Sequence, residues 1–560
     1  MSTQSSTQNN DCESVGTIIV GTGVIGMTAA TRLAQEGVKD FIILEKNLSK
    51  GGCWSRDGGV ANAGSRVQLF EPAYRLNAAR VTDDYTKRDQ ILSEMDNMSE
   101  QQNFEDKIRY GCDFVGLDEH RKPGSVVVTY REVSSGATRS IVATDHVLLC
   151  TGALQKPRDV KFEGEAAWAR SRPVVHGVSG EVDALELAGK RVCILGFGAF
   201  AIENAREALL AGAKKVTIVG RNLTQMGPKL LHYLNSTDES GRIKQLFQEP
   251  QAPEPEAALR KVRLMEHAYA QAGASALLPT HLKQLLRGDK VTAKPTITIP
   301  VNTDVFFIAH ALGLLEVVVG EARRFDSAAG VVVVNGHRPV ADADTSAGAG
   351  AGATAANAEL QVDCDVVIKC LGFERPDDKL ADKVGRTNIM SPFWLSPKVL
   401  VMKAERSTDP SKLVPFTNGS VVVIAQLYME IFLHFRAHPA ELPAALALLP
   451  RPTIAGESMD DFVAGVVALN THFPGVTRRV DALRTRLIRQ FKTKYTLEQF
   501  LAKNRADWEG TCATLSPDGN PAAVPYLWAG FQQQQRALKE KEAAAPVAAV
   551  GKVMVVAERG

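Results

Sequence analysis

Two sets of small residues in this chain have the spacing needed to hold a dinucleotide. The first is Gly21, Gly23 and Gly26, directly after the apolar run TIIV. In such a GxGxxG turn the first glycine permits the tight bend. The second lets backbone approach a pyrophosphate, and the third lets a helix close onto the strand. The helix that follows offers free N–H groups and the positive end of its dipole to the phosphates. Glu45 closes a second apolar run 19 residues after Gly26, where a carboxylate can accept hydrogen bonds from a ribose diol. The second set is Gly196, Gly198 and Ala201, after RVCIL. Here the next apolar run, VTIV, leads into Gly220-Arg221, so a cation stands where the first motif has an acid. A guanidinium clamps a 2′-phosphate that a carboxylate would repel, so this site is expected to prefer NADPH to NADH. A nicotinamide delivers hydride only to something held beside it, and a flavin on the first motif is the natural acceptor.

Each motif sits in a longer echo. VGTIIVGTGVIGMTAATRLAQEGVKDFIILEKN begins at Val15, and KRVCILGFGAFAIENAREALLAGAKKVTIVGRN begins at Lys190. Both run from an apolar stretch through a glycine turn and a helical pattern to a second apolar stretch, which reads as one βαβ unit each. The fold class is therefore α/β, with two Rossmann-like dinucleotide-binding domains.

Further stretches sharpen the reading. Glu45-Lys46 is followed by Gly51-Gly52-Cys53-Trp54; CTGALQKP at 150–157 contains Thr151-Gly152 and Pro157; DVVIKCLGFERPD occupies 365–377 and VVVIAQ 421–426. Together with the two glycine turns they resemble the flavin-containing monooxygenases that carry FAD and NADPH on one polypeptide. The resemblance runs from about Val15 to about Gln426. It implies an NADPH domain inserted into an FAD domain. The first FAD segment would span 15–175 and the NADPH domain 176–364. A second FAD segment with C-terminal helices would span 365–530, and a flexible tail 531–560. Lys46, Gly52, Trp54, Thr151 and Gly152 would join the glycines, Glu45 and Arg221 around the cofactors. VVVIAQ would be the last flavin-side strand. In VANAGSRVQLFEPAYRL, at 60–76, Asn62 would face the reactive edge of the flavin. Arg66 and Gln68 would complete the catalytic set, with Tyr74 and Arg75 lining the pocket. No metal site is expected.

There are departures from the family pattern. Phe162-Glu163-Gly164 starts its F-x-G-x-x-x-H fingerprint, but Trp168 stands where histidine belongs, and the next histidine is His176. The segment HGVSGEVDA also lacks the aromatic-acid or aromatic-proline ending of the Baeyer–Villiger version. The resemblance implies a C4a-hydroperoxyflavin that passes oxygen from dioxygen to a soft nitrogen or sulfur in a small molecule. Halogenation and Baeyer–Villiger ketone insertion are the alternatives, with a simple NAD(P)H-dependent flavin reductase behind them. A dithiol reductase would need a second cysteine near Cys53, but Gly58 is there instead.

Composition excludes other classes. The 560 residues include 65 Lys plus Arg and 63 Asp plus Glu, which leaves no broad basic face for nucleic acid. The eight cysteines are scattered singly, most of them in apolar stretches, and read as reduced thiols in a cytoplasmic protein. No presequence and no stretch of membrane-spanning length is legible, so no membrane partner is expected. A homo-oligomer is compatible with the sequence. Residues 341–358, nearly all Ala, Gly and small polar side chains, read as a disordered insertion.

Overall fold

The computed structural model describes residues 13–533 and Arg536, except 69–73, 77–82, 84, 153, 155, 179, 237–254, 292–300, 327–329, 340–358, 375–381, 385–392, 403–420, 450–458 and 491–494. The first βαβ unit is β1 (Ser14–Val20), α1 (Val24–Gln35) and β2 (Phe41–Leu44). Ile18 and Ile19 point to opposite faces of β1 and are both fully buried, which is why an unbroken β-branched run suits this strand. β1 pairs in parallel with β2, with Ile18 opposite Ile42. The sheet continues with β3 (Ile108–Arg109), β4 (Cys112–Asp118), β5 (Val126–Glu132) and β6 (Thr138–Leu149).

The chain then enters a second sheet. Its strands are β7 (Val174–His176), β8 (Arg191–Leu195), β9 (Lys215–Gly220), β12 (Leu315–Asp326), β13 (Gly330–His337), β14 (Glu359–Val362) and β15 (Val366–Lys369). A separate two-stranded pair, β10 (Met226–Gly227) and β11 (Val301–Asn302), stands apart from it. The order is β14-β13-β12-β9-β8-β15-β7, and helix α2 (Ala199–Leu210) links β8 to β9. The chain returns to the first sheet with β16 (Trp394–Ser396) and β17 (Val399–Val401), giving the order β16-β17-β6-β1-β2-β3 with β5 and β4 branching from β6. The second domain is thus inserted into the first. The two crossing segments lie side by side: Arg158 N donates to Gly372 O and Glu374 N to Lys156 O, both at 2.9 Å.

Three expectations are corrected. The segment 365–377 does not re-enter the first domain at its start, because β15 pairs with both β8 and β7 in the second sheet. Residues 421–426 are not a strand but the first turns of α3 (Val421–Ala437), whose side chains from Val422 to Phe435 are all buried. A run apolar on every side can be a strand or a core helix, and here its 17-residue length decides for helix. Finally, 365–530 is not wholly a flavin-side segment. α3 and α4 (Pro474–Gln490) pack into the core around α1, whereas α5 (Leu497–Leu515) and Val524, Leu527 and Phe531 close the core of the second domain. Phe531, expected to open the tail, is buried there. The insertion 341–358 and the residues beyond Arg536 lie outside the described residues. Trp168 is buried against Phe325, ring centres 5.5 Å apart, so the position expected to hold histidine serves the core. No helix among the described residues is long and apolar enough to cross a membrane.

Candidate functional site

The first glycine turn is built as its spacing demands. Gly21 has φ +102°, and a Cβ there would meet the Cys150 carbonyl oxygen at 2.7 Å. A Cβ on Gly26 would collide with the Gly21 carbonyl oxygen, so only glycine lets α1 close onto the turn. Gly23 is different. It precedes α1 in ordinary extended backbone, and a Cβ there would meet nothing nearer than Gly52 Cα at 3.7 Å. The free N–H groups of α1 therefore face open space walled by Gly23 and Gly52. Gly51 N donates to Thr22 O at 3.1 Å, which fastens the GGCW stretch to the turn. Glu45 is buried, and its carboxylate accepts from Thr22 N at 2.8 Å, Thr22 Oγ1 at 2.5 Å and Asn47 N at 2.9 Å. Lys46 is exposed. Trp54 Nε1 donates to Tyr74 Oη at 2.9 Å. Thr151 and Gly152, the latter at φ +65°, follow β6 beside the turn. Arg75 exchanges backbone and side-chain hydrogen bonds with Gln490 and so belongs to the packing of α4.

The second turn repeats the plan. Gly196 has φ +111° and lies against the Cys370 carbonyl oxygen. Ala201 is fully buried, and a Cβ on Gly198 would have nothing within 4 Å. Arg221, just past β9, is exposed and makes no hydrogen bond or ion pair with any described residue. These two open cradles fit two pyrophosphates, each at a helix N-terminus, with a carboxylate beside one and a free guanidinium beside the other.

The stretch after GGCW crosses from the first turn to α2. Asn62 Nδ2 donates to Asn204 Oδ1 at 2.9 Å and Gly177 O at 3.1 Å, and its Oδ1 accepts from Gly180 N at 3.1 Å. Ala63 N reaches Asp183 at 2.9 Å, and Arg66 N reaches Glu203 Oε2 at 3.2 Å. Gln68 Nε2 donates to Glu203 Oε1 at 3.1 Å. Arg206 ties Glu203 to the Gly64 carbonyl, both at 2.6 Å. Asn62, Arg66 and Gln68 are thus brought together on the seam between the domains. The Asn62 amide is committed to holding that seam. His176 ends β7 with Nε2 3.4 Å from Asp159 Oδ1. Glu203, Asn204 and Arg206 were not singled out from the sequence. Their signal was a polar cluster, with Glu207 the fourth member, inside an otherwise small and apolar helix, AFAIENAREALL.

Replacing Asn62 by Ala should strand the Asn204 and Gly180 partners and destabilise the fold by about 2–3 kcal/mol, a typical cost for orphaned buried groups. An unchanged melting temperature in calorimetry would remove Asn62 from the seam.

Residues 16–235 match the family model described as pyridine nucleotide-disulphide oxidoreductase. That stretch contains both glycine turns. The dithiol chemistry in its description finds no support, since the described cysteines are free and burial pushes the Cys53 thiol up to about 12, away from a reactive thiolate. Over part of its length the chain is also similar to flavin-dependent monooxygenases. It is 27% identical over 202 residues to a Baeyer-Villiger monooxygenase of Streptomyces coelicolor, covering 34% of this chain and 35% of that protein. It is 22% identical over 213 residues to the FAD-containing monooxygenase EthA of Mycolicibacterium smegmatis, covering 38% and 42%. The matched stretch spans about a third to two fifths of these relatives' length. An oxidized steroid monooxygenase bound to NADP shares the fold, with TM-score 0.53 at 14% identity over 76% of this chain and 86% of that one. Cyclohexanone monooxygenase bound to epsilon-caprolactone does so with TM-score 0.51 at 13% identity, covering 76% and 89%.

Proposed function

We propose that this protein is an NADPH-consuming flavin monooxygenase that holds FAD on the turn at Gly21–Gly26 and NADPH on the turn at Gly196–Ala201. One observation carries the reading: a single stretch, residues 51–68, is fastened at one end to the first turn and at the other to α2 behind the second. Two cofactors held by these turns would meet across that stretch. Bound FAD would supply the redox chemistry, taking electrons from NADPH and passing them to dioxygen.

The chain's own part is placement and shielding. The α1 and α2 N-termini fix the two pyrophosphates, and Glu45 holds the flavin-side ribose. Arg221 selects the 2′-phosphate. Asn62, with Asn204 and Gly177, closes the seam against water, which protects reactive intermediates from side reactions. The names of the relatives favour Baeyer–Villiger insertion over transfer to nitrogen or sulfur. In that reaction a ketone, dioxygen, NADPH and a proton give an ester, water and NADP⁺. Transfer to a soft nitrogen or sulfur remains the second reading, because HGVSGEVDA lacks the Baeyer–Villiger ending.

NADPH consumption measured against ketones, thioethers, amines, phenols and halide separates these readings. Stimulation by ketones with ester formation is expected. Stimulation by thioethers or amines alone would favour the second reading, and hydrogen peroxide as the sole product with every compound would reduce the protein to an oxidase or reductase.

A further inference from the structure

Two cations beside this seam have no oxygen partner for their charged groups among the described residues. Arg66 has its backbone pinned to Glu203, yet its guanidinium donates to no described residue and its Nε is buried without a partner. Lys229 opens the helix Lys229–Ser236 after β10. Its backbone N donates to Asp304 Oδ1 at 2.9 Å and its carbonyl accepts from Tyr85 Oη at 3.2 Å. Its ammonium stands 4.7 Å from the centre of the Tyr85 ring and makes no hydrogen bond or ion pair with any described residue. Tyr85 is itself held at φ +56°, in the left-handed region that a bulky side chain rarely enters.

The described acids that act on these cations are already engaged. Asp304 gives one carboxylate oxygen to Lys229 N and the other to Asn504 Nδ2, each at 2.9 Å. Glu203 and Glu207 pair with Arg206 at 2.6 and 2.9 Å, and Asp507 pairs with Lys503 at 2.9 Å. Burial pulls the Arg66 and Lys229 pKa values down, and the like charge of Arg206 adds to it in both. Val67 N donates to Thr86 O at 3.0 Å and Arg66 bridges Lys87, which sets the Arg66 backbone beside the Tyr85 segment that meets the Lys229 ammonium. Desolvated cations whose neighbouring carboxylates are hydrogen-bonded elsewhere cost stability, so this arrangement is prepared for an anion that arrives from outside.

We propose that Arg66 and Lys229 form a recognition site for the carboxylate of an acidic substrate. The assignment rests on the monooxygenase reading, because it takes the seam to be where substrate meets the cofactors. The cofactor phosphates have other places: one pyrophosphate at each open cradle and the 2′-phosphate at Arg221. A guanidinium fork with an ammonium over an aromatic face suits a carboxylate, and the Tyr85 ring offers an apolar surface to the carbon chain behind it.

The test compares equilibrium binding of acid and methyl ester to the FAD-loaded protein without NADPH, so no turnover is needed. Levulinate with methyl levulinate, and (methylthio)acetate with its methyl ester, are the probes, read by calorimetry and by the flavin spectrum. At least one acid should bind about tenfold or more tighter than its ester, the return expected of a charge-assisted pair. Lys229→Met and Arg66→Met should each bring that ratio towards one, and neither should lower the melting temperature, since neither charge has a hydrogen-bond or ion-pair partner among the described residues and a methionine side chain keeps the packing on the Tyr85 ring. Equal binding of acid and ester in both pairs would overturn the proposal. So would variants that melt earlier, which would make the cations structural. A loss of NADP⁺ affinity as large as the loss of acid affinity would assign the pair to a cofactor phosphate. Failure of the monooxygenase reading shows separately, as the absence of NADPH consumption with neutral ketones and thioethers.

Discussion

Gly23→Val is expected to give a folded, colourless protein. Gly23 sits in extended backbone that any residue adopts, and its Cβ would approach only Gly52 Cα at 3.7 Å. The chain alone therefore tolerates the side chain. The valine methyls would stand in the space at the N-terminus of α1, where a pyrophosphate has to lie within reach of backbone N–H groups. The neighbouring glycines do not permit this separation. Gly21 needs its positive φ and Gly26 lies on the Gly21 carbonyl, so substitution there would damage the turn itself. Flavin absorbance per mole of protein, with circular dichroism to confirm folding, measures the effect. A full flavin complement in the folded variant would mean that the first turn does not hold FAD.

Arg221→Ala should weaken NADPH binding by roughly 10–150-fold, from the loss of a charge-assisted pair worth about 1.5–3 kcal/mol. Arg221 is exposed and has no partner among the described residues, so its removal should leave the fold unchanged. NADH carries no 2′-phosphate and should respond little. The ratio of the two dissociation constants is the decisive quantity, because damage to the domain would move both together. An equal loss with NADPH and NADH would take Arg221 out of cofactor selection.

Both predictions act on features that the sequence makes legible, because a glycine turn between an apolar run and a helix is a local pattern. Gly21, Gly26 and Gly196 show why: Gly21 and Gly196 lie against the carbonyl that follows the next strand over, and Gly26 lies against the Gly21 carbonyl of its own turn. What was not legible depends on contacts between distant segments. Residues 421–426 read as a strand from four consecutive β-branched residues, but the apolar run continues through α3 to Phe435, and its burial on every side is a property of the assembled core. Nothing local in α5 says that Trp508 and Cys512 close the second domain rather than the first. Asn62 carries an amide that suits a flavin edge or a polar seam equally well. Only its pairing with Asn204, 142 residues away, shows that the seam uses it. Lys229 gave no signal at all, since an unpaired cation is recognised only once its neighbours are known to be engaged.

The central claim is that this chain brings FAD, NADPH and dioxygen to one organic substrate. It is tested most directly with isotopically labelled dioxygen. Purified protein reconstituted with FAD is given NADPH, labelled dioxygen and each ketone or thioether that stimulates NADPH consumption, and the products are weighed by mass spectrometry. The account predicts one labelled oxygen atom per product molecule, one NADPH consumed for each, and the second labelled atom in water. NADPH consumption with all the labelled oxygen recovered as hydrogen peroxide, and none in any organic product, would contradict it.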